Sequence, residues 1–544
     1  MKFIFRSLLI ILGLYGLVFA VGDAYLSHAQ APPWLAVIFA VVFVGLQYAA
    51  GPSVISWVLS IYWCDLPENV GELPAVNREF VDRLCASRGL PRPRLGIIRS
   101  GTPNAFSFGH TPADARVVIT TGLLEMLTPD EVNAVLAHEL GHVEHWDFVV
   151  MTIAALVPLL LYQVYVFGRR VGHFRLVGEG AYVAYLISQF VVLLLNRTRE
   201  YYADAYSSHV TGHPDQLASA LVKIAIGLVQ SDGSYRATPA AAERRRDHRL
   251  AGAMALMGIS NVNSGRALIL SAGDAAAAAR VMRWDFTNPW ARLYELNSTH
   301  PLTAFRVRAL GGDGGAVAVP RDVASAAMST DFAAAGTAPA RLGWPAFLLE
   351  VGLWAAPVLA AGVLVFGDLS KRAMASAGMV VSGWAAPALL VFIGVTWIAR
   401  ISYRYRGDFQ PAEIASLLGD LTVSEMRPRA VRLEGEIVGR GVPGAFWSPD
   451  LVLRDRTGIL FVLYRQSIPF ARLVFGLASA DDFIGRSVVI NGWFRRGLTP
   501  YVEMASITPD TTDTTSATRT YSRWVQYAAA LLTAGIGCYW LSVR

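Results

Sequence analysis

The chain has 544 residues, of which 54% are hydrophobic and only 16% are charged, and its mean hydropathy is +0.41. An ordinary soluble domain carries roughly 25% charged residues, so the composition argues against a purely soluble enzyme and excludes a disordered chain. The net charge of +6 is carried almost wholly by arginine, since only three of the 47 basic residues are lysines, and it indicates no particular partner. The three cysteines are far apart and form no CxxC motif, which gives no basis for a disulfide framework or a sulfur-ligated metal. We therefore expect an integral membrane protein with soluble parts.

Two apolar segments open the chain, and a membrane helix needs about 20 such residues. Phe3–Val21 and Trp34–Tyr62 predict a two-span membrane hairpin over residues 1–62. Basic residues favour the cytoplasmic side, so Lys2 and Arg6 place both ends of this hairpin in the cytoplasm. The polar region after Tyr62 is accordingly expected to be cytoplasmic.

The first apolar segment also resembles a secretory signal, because Ala29-Gln30-Ala31 resembles a cleavage site. Pro32 directly after that site would hinder cleavage, and a second apolar segment comes at once. An uncleaved anchor is therefore the favoured interpretation.

Residues 63–310 are predicted to form one soluble region interrupted by an apolar hairpin at 148–195. The loop of that hairpin carries Arg169, Arg170 and Arg175, which would lie outside the cell membrane if both arms spanned. A buried or half-inserted hairpin is the competing interpretation, and both remain open at this point.

The second half of the chain alternates between apolar and β-like segments. A flexible linker is expected at 311–342, a second two-span hairpin at 343–399 and a C-terminal membrane helix at 524–544, so that four to seven apolar segments span in all. Alternating segments between Gly, Pro and Asp turns predict a small β-barrel or sandwich over 400–523, similar to an OB-type barrel. Those segments are Val431–Val438, Leu451–Leu453, Ile459–Tyr464 and Ser487–Phe494.

The most specific motif is the pentapeptide His138-Glu139-Leu140-Gly141-His142. Positions i and i+4 share a face of a helix, so two imidazoles can bind one metal ion while the intervening carboxylate reaches a metal-bound water. Thr128 with Glu131 three residues later forms a predicted capping box, and Pro129 occupies the first helical position. The motif is therefore expected on a helix that begins near Thr128.

A catalytic zinc site usually has a third protein ligand. Glu200 and Asp204 come after the fourth apolar segment at i, i+4 spacing, so Glu200 can ligate the metal and Asp204 can orient a ligand histidine. The alternative is that both acids only pair with Arg197 and Arg199 on a surface. The sequence excludes His110 and His145 as ligands, since isolated histidines of this kind are more often surface or packing residues.

Several motifs in one order resemble the HtpX-type membrane metalloproteases, whose relatives include the CaaX prenyl proteases. The resemblance is strongest over 90–205, extends over about residues 1–310, and also includes Asp147 and the Thr299-His300-Pro301 segment. The further landmarks are Pro103-Asn104-Ala105-Phe106, Val118–Leu124, Arg199-Glu200-Tyr201, Ala203-Asp204 and Arg306.

The resemblance implies one Zn²⁺ per chain, bound by His138, His142 and Glu200, with Glu139 as the general base. Zinc lowers the pKa of its bound water to about 7, and the base takes the proton as water attacks the peptide bond. The resemblance further suggests His300 and Arg306 as residues that stabilise the oxyanion or support the site. Asn104, Ala105 and Phe106 are predicted to pair with the substrate backbone as an edge strand, although Ser107-Phe108-Gly109 departs from the family's usual continuation.

The expected protein is thus a multi-pass membrane α-helical protein with a zincin-like protease domain, mainly α with a small β element, and a C-terminal OB-like all-β domain. We expect it in a bacterial inner membrane with its active site facing the cytoplasm, acting on protein or peptide substrates in membrane-protein quality control. CaaX-type or dedicated precursor processing and a catalytically inactive scaffold are the alternatives. Intramembrane zinc proteases are excluded because no Leu-Asp-Gly type motif lies in the later apolar segments.

Nucleic acid is not an expected partner of the β domain. Trp493, Phe494, Arg495 and Arg496 superficially suit base stacking and phosphate binding, but a barrel fold does not carry a function by itself. Substrate presentation, regulation and self-association are the roles left open for this domain.

Overall fold

The computed structural model of the chain describes residues 34–170, 175–233, 282–311, 342–375, 385–440, 449–467, 469–497, 499–509 and 518–543. The predicted first span, the Ala29–Ala31 site and almost all of the 311–342 linker lie outside these described residues. The chain divides into two compact units, one formed mainly by residues 1–232 and 292–328 and the other mainly by residues 269–291 and 329–544.

The first unit combines a small mixed sheet with helices. The sheet has the strand order β1 (Tyr62–Trp63), β2 (Arg94–Ile98), β4 (Arg116–Thr120) and β3 (Ala105–Phe108). Strands β2 and β4 are parallel, and the two outer pairs are antiparallel. Strand β4 has the sequence Arg-Val-Val-Ile-Thr, in which three β-branched apolar residues in a row are buried. The elements are α1 (Trp34–Leu59), β1 (Tyr62–Trp63), α2 (Ala75–Arg88), β2 (Arg94–Ile98), β3 (Ala105–Phe108), β4 (Arg116–Thr120), α3 (Thr121–Met126), α4 (Pro129–Glu144), α5 (Asp147–Arg170), α6 (Arg175–Thr211), α7 (Pro214–Gly233), the end of α8 (Pro289–Leu296) and α9 (Thr303–Leu310).

Helix α4 begins where its sequence predicts. Thr128 is the N-cap, its hydroxyl accepts from the Glu131 amide and the Glu131 carboxylate accepts from the Thr128 amide, which completes the capping box. The Glu131 carboxylate also accepts hydrogen bonds from Ser219 at 2.5 Å and from Lys223 at 2.6 Å, both on α7. The start of the motif helix is therefore tied to a second helix by a buried carboxylate.

Helices α4 and α6 pack closely because of one glycine. A Cβ atom added to Gly141 would lie 3.2 Å from Cα of Ala203 and 3.2 Å from the ring of Tyr206. Contacts that short are tighter than ordinary van der Waals packing, so the absence of a side chain at 141 sets the separation of the two helices. Both helices contribute residues to the candidate site.

Four helices among the described residues are long and apolar enough to cross a membrane, which is the lower end of the expected four to seven. In the first unit the apolar hairpin of the sequence corresponds to α5 and α6, with spans at Asp147–Gly168 and Leu176–Thr211. In the second unit the spans are Trp344–Leu364 and Ala386–Arg404. In the second predicted N-terminal segment, Tyr48–Leu59 is an apolar stretch at the end of α1.

The second unit joins apolar helices to a closed β-barrel. Strands β6 (Arg429–Arg440), β7 (Leu451–Arg454) and β8 (Ile459–Leu463) pair antiparallel in turn, and β8 pairs parallel with β10 (Pro500–Pro509). Strand β9 (Ser487–Arg496) pairs antiparallel with both β10 and β6, which closes the ring. The four predicted β segments coincide with β6, β7, β8 and β9, while β10 and the helix before β9 were not expected. The elements are α10 (Trp344–Ala375), α11 (Ala385–Arg404), β5 (Gln410–Pro411), α12 (Ile414–Leu418), β6 (Arg429–Arg440), β7 (Leu451–Arg454), β8 (Ile459–Leu463), α13 (Pro469–Ala478), β9 (Ser487–Arg496), β10 (Pro500–Pro509), β11 (Thr518–Arg519) and α14 (Ser522–Ser542).

Candidate active site

The two motif histidines lie one turn apart on the same face of α4. Their Nε2 atoms are 3.2 Å apart, and their rings meet edge to face with centroids 4.8 Å apart. Both side chains are buried. The i, i+4 spacing has therefore brought two potential metal ligands to one point, as the motif predicts.

Helix α6 supplies a carboxylate at the same point. Glu200 Oε2 lies 3.7 Å from Nε2 of His138, and Oε1 lies 3.7 Å from Nε2 of His142. One ligand atom from each of the three residues lies within 4.8 Å of the other two, and all three side chains are buried. These distances bring together the residues that the resemblance assigns as zinc ligands.

Two further carboxylates hold the outer nitrogens of the histidines. Nδ1 of His138 lies 3.0 Å from Oδ1 of Asp204, and Nδ1 of His142 lies 2.6 Å from Oδ2 of Asp147. A carboxylate beside Nδ1 favours the tautomer with its proton on that atom, which leaves the Nε2 lone pair free for a metal. Asp204 thus lies where the sequence predicts an orienting group.

Asp147 has a role that sequence reasoning did not assign. It is the first residue of α5, five positions after His142, and its carboxylate also pairs with Arg199 Nε at 2.9 Å. The only signal in the sequence was its position shortly after the motif.

The surface ion-pair alternative for Glu200 and Asp204 does not match the contacts. Arg197 donates to the backbone carbonyls of Glu295, Leu296 and Ser298, all in or just after α8. Arg199 donates to Asn196 Oδ1 and pairs with Asp147.

The buried guanidinium of Arg306, on α9, reaches the site. Its Nε and Nη2 atoms donate to the two oxygens of Asp204 at 2.8 and 2.6 Å, and Nη1 lies 3.4 Å from Glu200 Oε2. Burial lowers the pKa of Arg306, but the carboxylates of Asp204, Glu200 and Glu139 outweigh it and raise the pKa above its usual range. The guanidinium therefore stays charged and fixes the carboxylate that orients His138.

His300 is the most accessible of the predicted site residues. Its Nδ1 lies 3.4 Å from Glu200 Oε1, and its backbone carbonyl accepts from the Ser298 hydroxyl at 2.7 Å. The segment is also tied to α6, because Asn196 donates to the carbonyl of Thr299 at 2.7 Å. His300 therefore borders the cluster next to its carboxylate ligand.

Glu139 lies between the two histidines in sequence and is buried. Burial raises the pKa of Glu139, while a hydrogen bond with Ser107 acts in the opposite direction. Ser107 belongs to β3, so the contact brings this carboxylate next to the sheet.

Strand β3 lies at one end of the four-strand order and pairs with β4 alone among the described strands. Asn104, directly before it, is buried, and its amide donates to Thr120 Oγ1 at 2.8 Å while its Oδ1 accepts from the Ala105 amide. Ala105 and Phe106 are buried in two different apolar clusters, on opposite faces of the sheet. The side chains of this segment are therefore enclosed.

The ligand atoms of the three residues form a group that could hold one metal ion. The Nε2 atoms of His138 and His142 face each other at 3.2 Å, and Glu200 Oε2 is buried beside them with Arg306 Nη1 at 3.4 Å. Two imidazoles and one carboxylate are a donor set that suits zinc, which keeps a further position for water in catalytic sites. The residues present therefore fit the metal that the resemblance implies.

Residues excluded as ligands are engaged elsewhere. His110 Nδ1 lies 2.6 Å from Asp114, and His145 packs edge to face on Tyr202 and Tyr206. In the β-barrel, Trp493, Phe494, Arg495 and Arg496 are all buried, so none forms an exposed stacking surface.

Comparison with known proteins places this cluster in a family. The model of peptidase family M48 matches residues 75–313, which include every candidate site residue. The HtpX protease homologue of Methanothermobacter thermautotrophicus is 38% identical over 229 residues, covering 41% of this chain and 85% of that protein. The homologue of Aeropyrum pernix is 31% identical over 288 residues, covering 50% of this chain and 86% of that protein.

Among solved structures, Ste24p of S. mikatae overlaps 56% of this chain and 64% of its own, with 18% identity and a TM-score of 0.33, values too low to assign a fold. The HtpX relatives carry the assignment, since the chain covers most of their length at more than 30% identity. Together with four helices able to span a membrane, they indicate a membrane protein. The chain belongs to peptidase family M48, as a metalloprotease related to the HtpX proteases.

Proposed function

We propose that the protein is a zinc-dependent integral-membrane endopeptidase. The observation that carries the proposal is the convergence of His138, His142 and Glu200, with a buried carboxylate behind each histidine. Such outer carboxylates are what ligand histidines need to keep their Nε2 atoms unprotonated and oriented.

When bound, zinc supplies a Lewis acid that activates water and polarises the scissile carbonyl. The chain supplies the rest of the chemistry. Glu139 takes a proton from the attacking water as the new C–O bond forms, and it passes that proton to the amine nitrogen as the C–N bond breaks. Its hydrogen bond with Ser107 fixes the carboxylate on the side of the cluster that faces β3.

The two remaining predicted residues take different roles in this proposal. Arg306 has its fork occupied by Asp204, which supports a positioning role for it. His300 lies beside Glu200 and is more accessible than the ligands, which supports it as the donor to the oxyanion.

Substrate is proposed to enter along β3 as an added strand. The end position of β3 in the sheet and its proximity to Glu139 through Ser107 support this placement. Backbone pairing of this kind positions a peptide without strong side-chain preference, which suits a protease that acts on many proteins.

Substrates are proposed to come from the membrane surface. Asp147, which holds His142, is also the first residue of a candidate span, and α6 continues from apolar sequence directly into Glu200 and Asp204. We propose that the site lies on the cytoplasmic side of a bacterial inner membrane and that its role is membrane-protein quality control. The alternative is dedicated precursor processing, which identification of a single substrate would indicate. For the β-barrel we propose an OB-type assignment, supported by its closed five-strand order and by α13 between its third and fourth strands.

The test compares peptide hydrolysis by wild-type protein and Glu139→Gln in detergent, with Glu125→Gln as the control. Glu125 is an exposed carboxylate on α3, so its loss should leave hydrolysis unchanged. Chelator-sensitive hydrolysis should be lost in Glu139→Gln alone, with bound zinc retained. Equal hydrolysis by all three proteins would refute the proposal, and no hydrolysis by any of them would favour the inactive scaffold.

A further inference from the structure

Helix α13 of the β-barrel presents an apolar face to the outside. Phe470, Leu473, Val474 and Leu477 recur at i, i+3, i+4 and i+7, which places them on one side of the helix. Their exposed fractions are 78, 46, 61 and 52%. Four adjacent exposed apolar side chains on a ten-residue helix need a partner of matching polarity.

The orientation of α13 is set from its other side. Phe475 is buried and stacks on Tyr464 with ring centroids 4.0 Å apart, and it also contacts Phe483. Arg440 on β6 donates to the carbonyl of Gly476 at 2.6 Å. The helix is thus anchored to the barrel, and the apolar face is the side that it turns outward.

The start of α13 is joined to the start of α14. Ser467, two residues before α13, lies 2.9 Å from Ser522 through their hydroxyl oxygens, and Ser522 is the first residue of α14. The Tyr521 amide donates to Gln466 Oε1 at 3.3 Å, and Gln466 donates to the carbonyl of Arg519. The two helix starts therefore lie at the same level.

Helix α14 packs antiparallel along the candidate span α11. A Cβ added to Gly394 would meet Ala534, and one added to Gly537 would meet Val391, so the helices are in close contact. Near the end of α11, Ser402 and Tyr527 are hydrogen-bonded at 2.9 Å.

This pairing gives the depth of α13. On α14, Ser522 lies five residues before Tyr527. It is therefore about 7 Å beyond Tyr527 along the helix axis, on the side away from the region that packs on α11. That distance corresponds to the headgroup layer of a bilayer. Tyr521 and Trp524 are exposed at this level, as the aromatic residues that border membranes are.

We propose that α13 is an interfacial helix that lies on the bilayer with Phe470, Leu473, Val474 and Leu477 inserted among the lipid headgroups. The partner of the apolar face is the lipid surface, because α13 begins at the level where the candidate span α11 leaves the membrane. Short amphipathic helices bind membrane surfaces in this way. The inference concerns the barrel and does not depend on the proposed peptidase chemistry.

The test measures immersion depth in the full-length protein reconstituted into vesicles of phosphatidylethanolamine and phosphatidylglycerol. Cys538→Ser removes the exposed cysteine, while Cys64 and Cys85 are buried. Nitroxide labels at Val474→Cys and, separately, at Leu477→Cys are compared with one at Glu434→Cys, an exposed position on β6. Power saturation by oxygen and by a water-soluble nickel complex reports the depth of each label.

Labels at 474 and 477 should be several-fold more accessible to oxygen relative to nickel than the label at 434. An equal ratio at all three positions would overturn the proposal, because it would place the face in water. Low accessibility to both reagents would also overturn it by showing a protein cover. Spin–spin broadening that disappears on dilution with unlabelled protein would identify that cover as a second copy.

Discussion

The carboxylate of Asp147 lies 2.6 Å from Nδ1 of His142 and so joins the first residue of a membrane-length helix to a predicted metal ligand. Arg199 lies on the helix that carries Glu200, and its Nε is 2.9 Å from the same carboxylate. One acid therefore links the three helices α4, α5 and α6 at the site.

Replacing Asp147 with asparagine should lower zinc affinity roughly 10- to 100-fold, the usual effect of removing an outer partner of a ligand histidine. The amide can still accept a hydrogen bond but no longer stabilises the imidazole by charge. Competition with a fluorescent zinc chelator measures the change. Asp130→Asn, at an exposed position of the motif helix α4, should bind zinc like the wild type, and unchanged affinity in Asp147→Asn would show that the contact is only structural.

Replacing Arg306 with glutamine should destabilise the protein by about 3–5 kcal/mol, because Asp204 and Glu200 would remain buried without their cation. Arg306→Lys should recover part of this loss, since it keeps the charge but not the two-pronged geometry. Thermal unfolding in detergent measures both variants. Arg308→Gln, at an exposed position two residues later, is the control, and equal melting temperatures for Arg306→Gln and Arg308→Gln would contradict the assignment.

Replacing Gly141 with alanine should separate α4 from α6, because the added Cβ would lie 3.2 Å from Ala203 Cα. Overpacking of this kind costs about 1–3 kcal/mol, and the shift should also weaken zinc binding, since His142 and Glu200 lie on opposite sides of the contact. Gly180→Ala is the control, because a Cβ there meets no atom within 4 Å. A Gly141→Ala protein with wild-type melting temperature and zinc affinity would show that the helix separation is not set at this residue.

A buried acid in the barrel should make stability depend on pH. Burial raises the pKa of Glu503, but Arg495, Arg465 and Arg404 outweigh it and lower the pKa from 4.5 to about 2. Because the folded pKa lies below the unfolded one, the stabilisation is fully present above pH 4.5 and is lost as the pH falls toward 2. The corresponding free energy is about 3 kcal/mol.

Glu503→Gln should therefore lower the melting temperature at neutral pH and flatten its fall in acid. Glu434→Gln, at an exposed position on β6, should keep the wild-type pH profile. Parallel acid profiles of wild type and Glu503→Gln would contradict the buried network as the source of the dependence.

Local patterns predicted the parts of the site that neighbours in sequence determine. The capping box at Thr128 and the i, i+4 histidines describe one helix, so that helix could be placed without knowledge of the rest of the chain. Likewise, alternation located β6 to β9 because each strand has one buried side. The small charge fraction correctly indicated a membrane protein, since four described helices are long and apolar enough to span a bilayer.

Long-range pairing was not predictable in the same way. Arg306 meets Asp204 across 102 residues, and Asp147 meets Arg199 through a hairpin of two long helices. Strand β10 was missed because most of its residues are apolar or small, without clear alternation, and α13 was missed because its apolar face is exposed. Arg495 and Arg496 look suited to bind phosphate in the sequence, but both are buried. Residue type alone therefore does not distinguish a ligand-binding arginine from one that forms internal contacts.

We propose above that His138, His142 and Glu200 hold one zinc ion. The most direct test of this proposal is the zinc content per chain of purified full-length protein, measured by mass spectrometry of the metal, in the wild type and in Glu200→Gln. We predict about one zinc per wild-type chain and a large loss in Glu200→Gln, with both proteins folded. Equal zinc content in the two proteins, or none in the wild type after purification with zinc present, would show that these three residues do not hold a zinc ion.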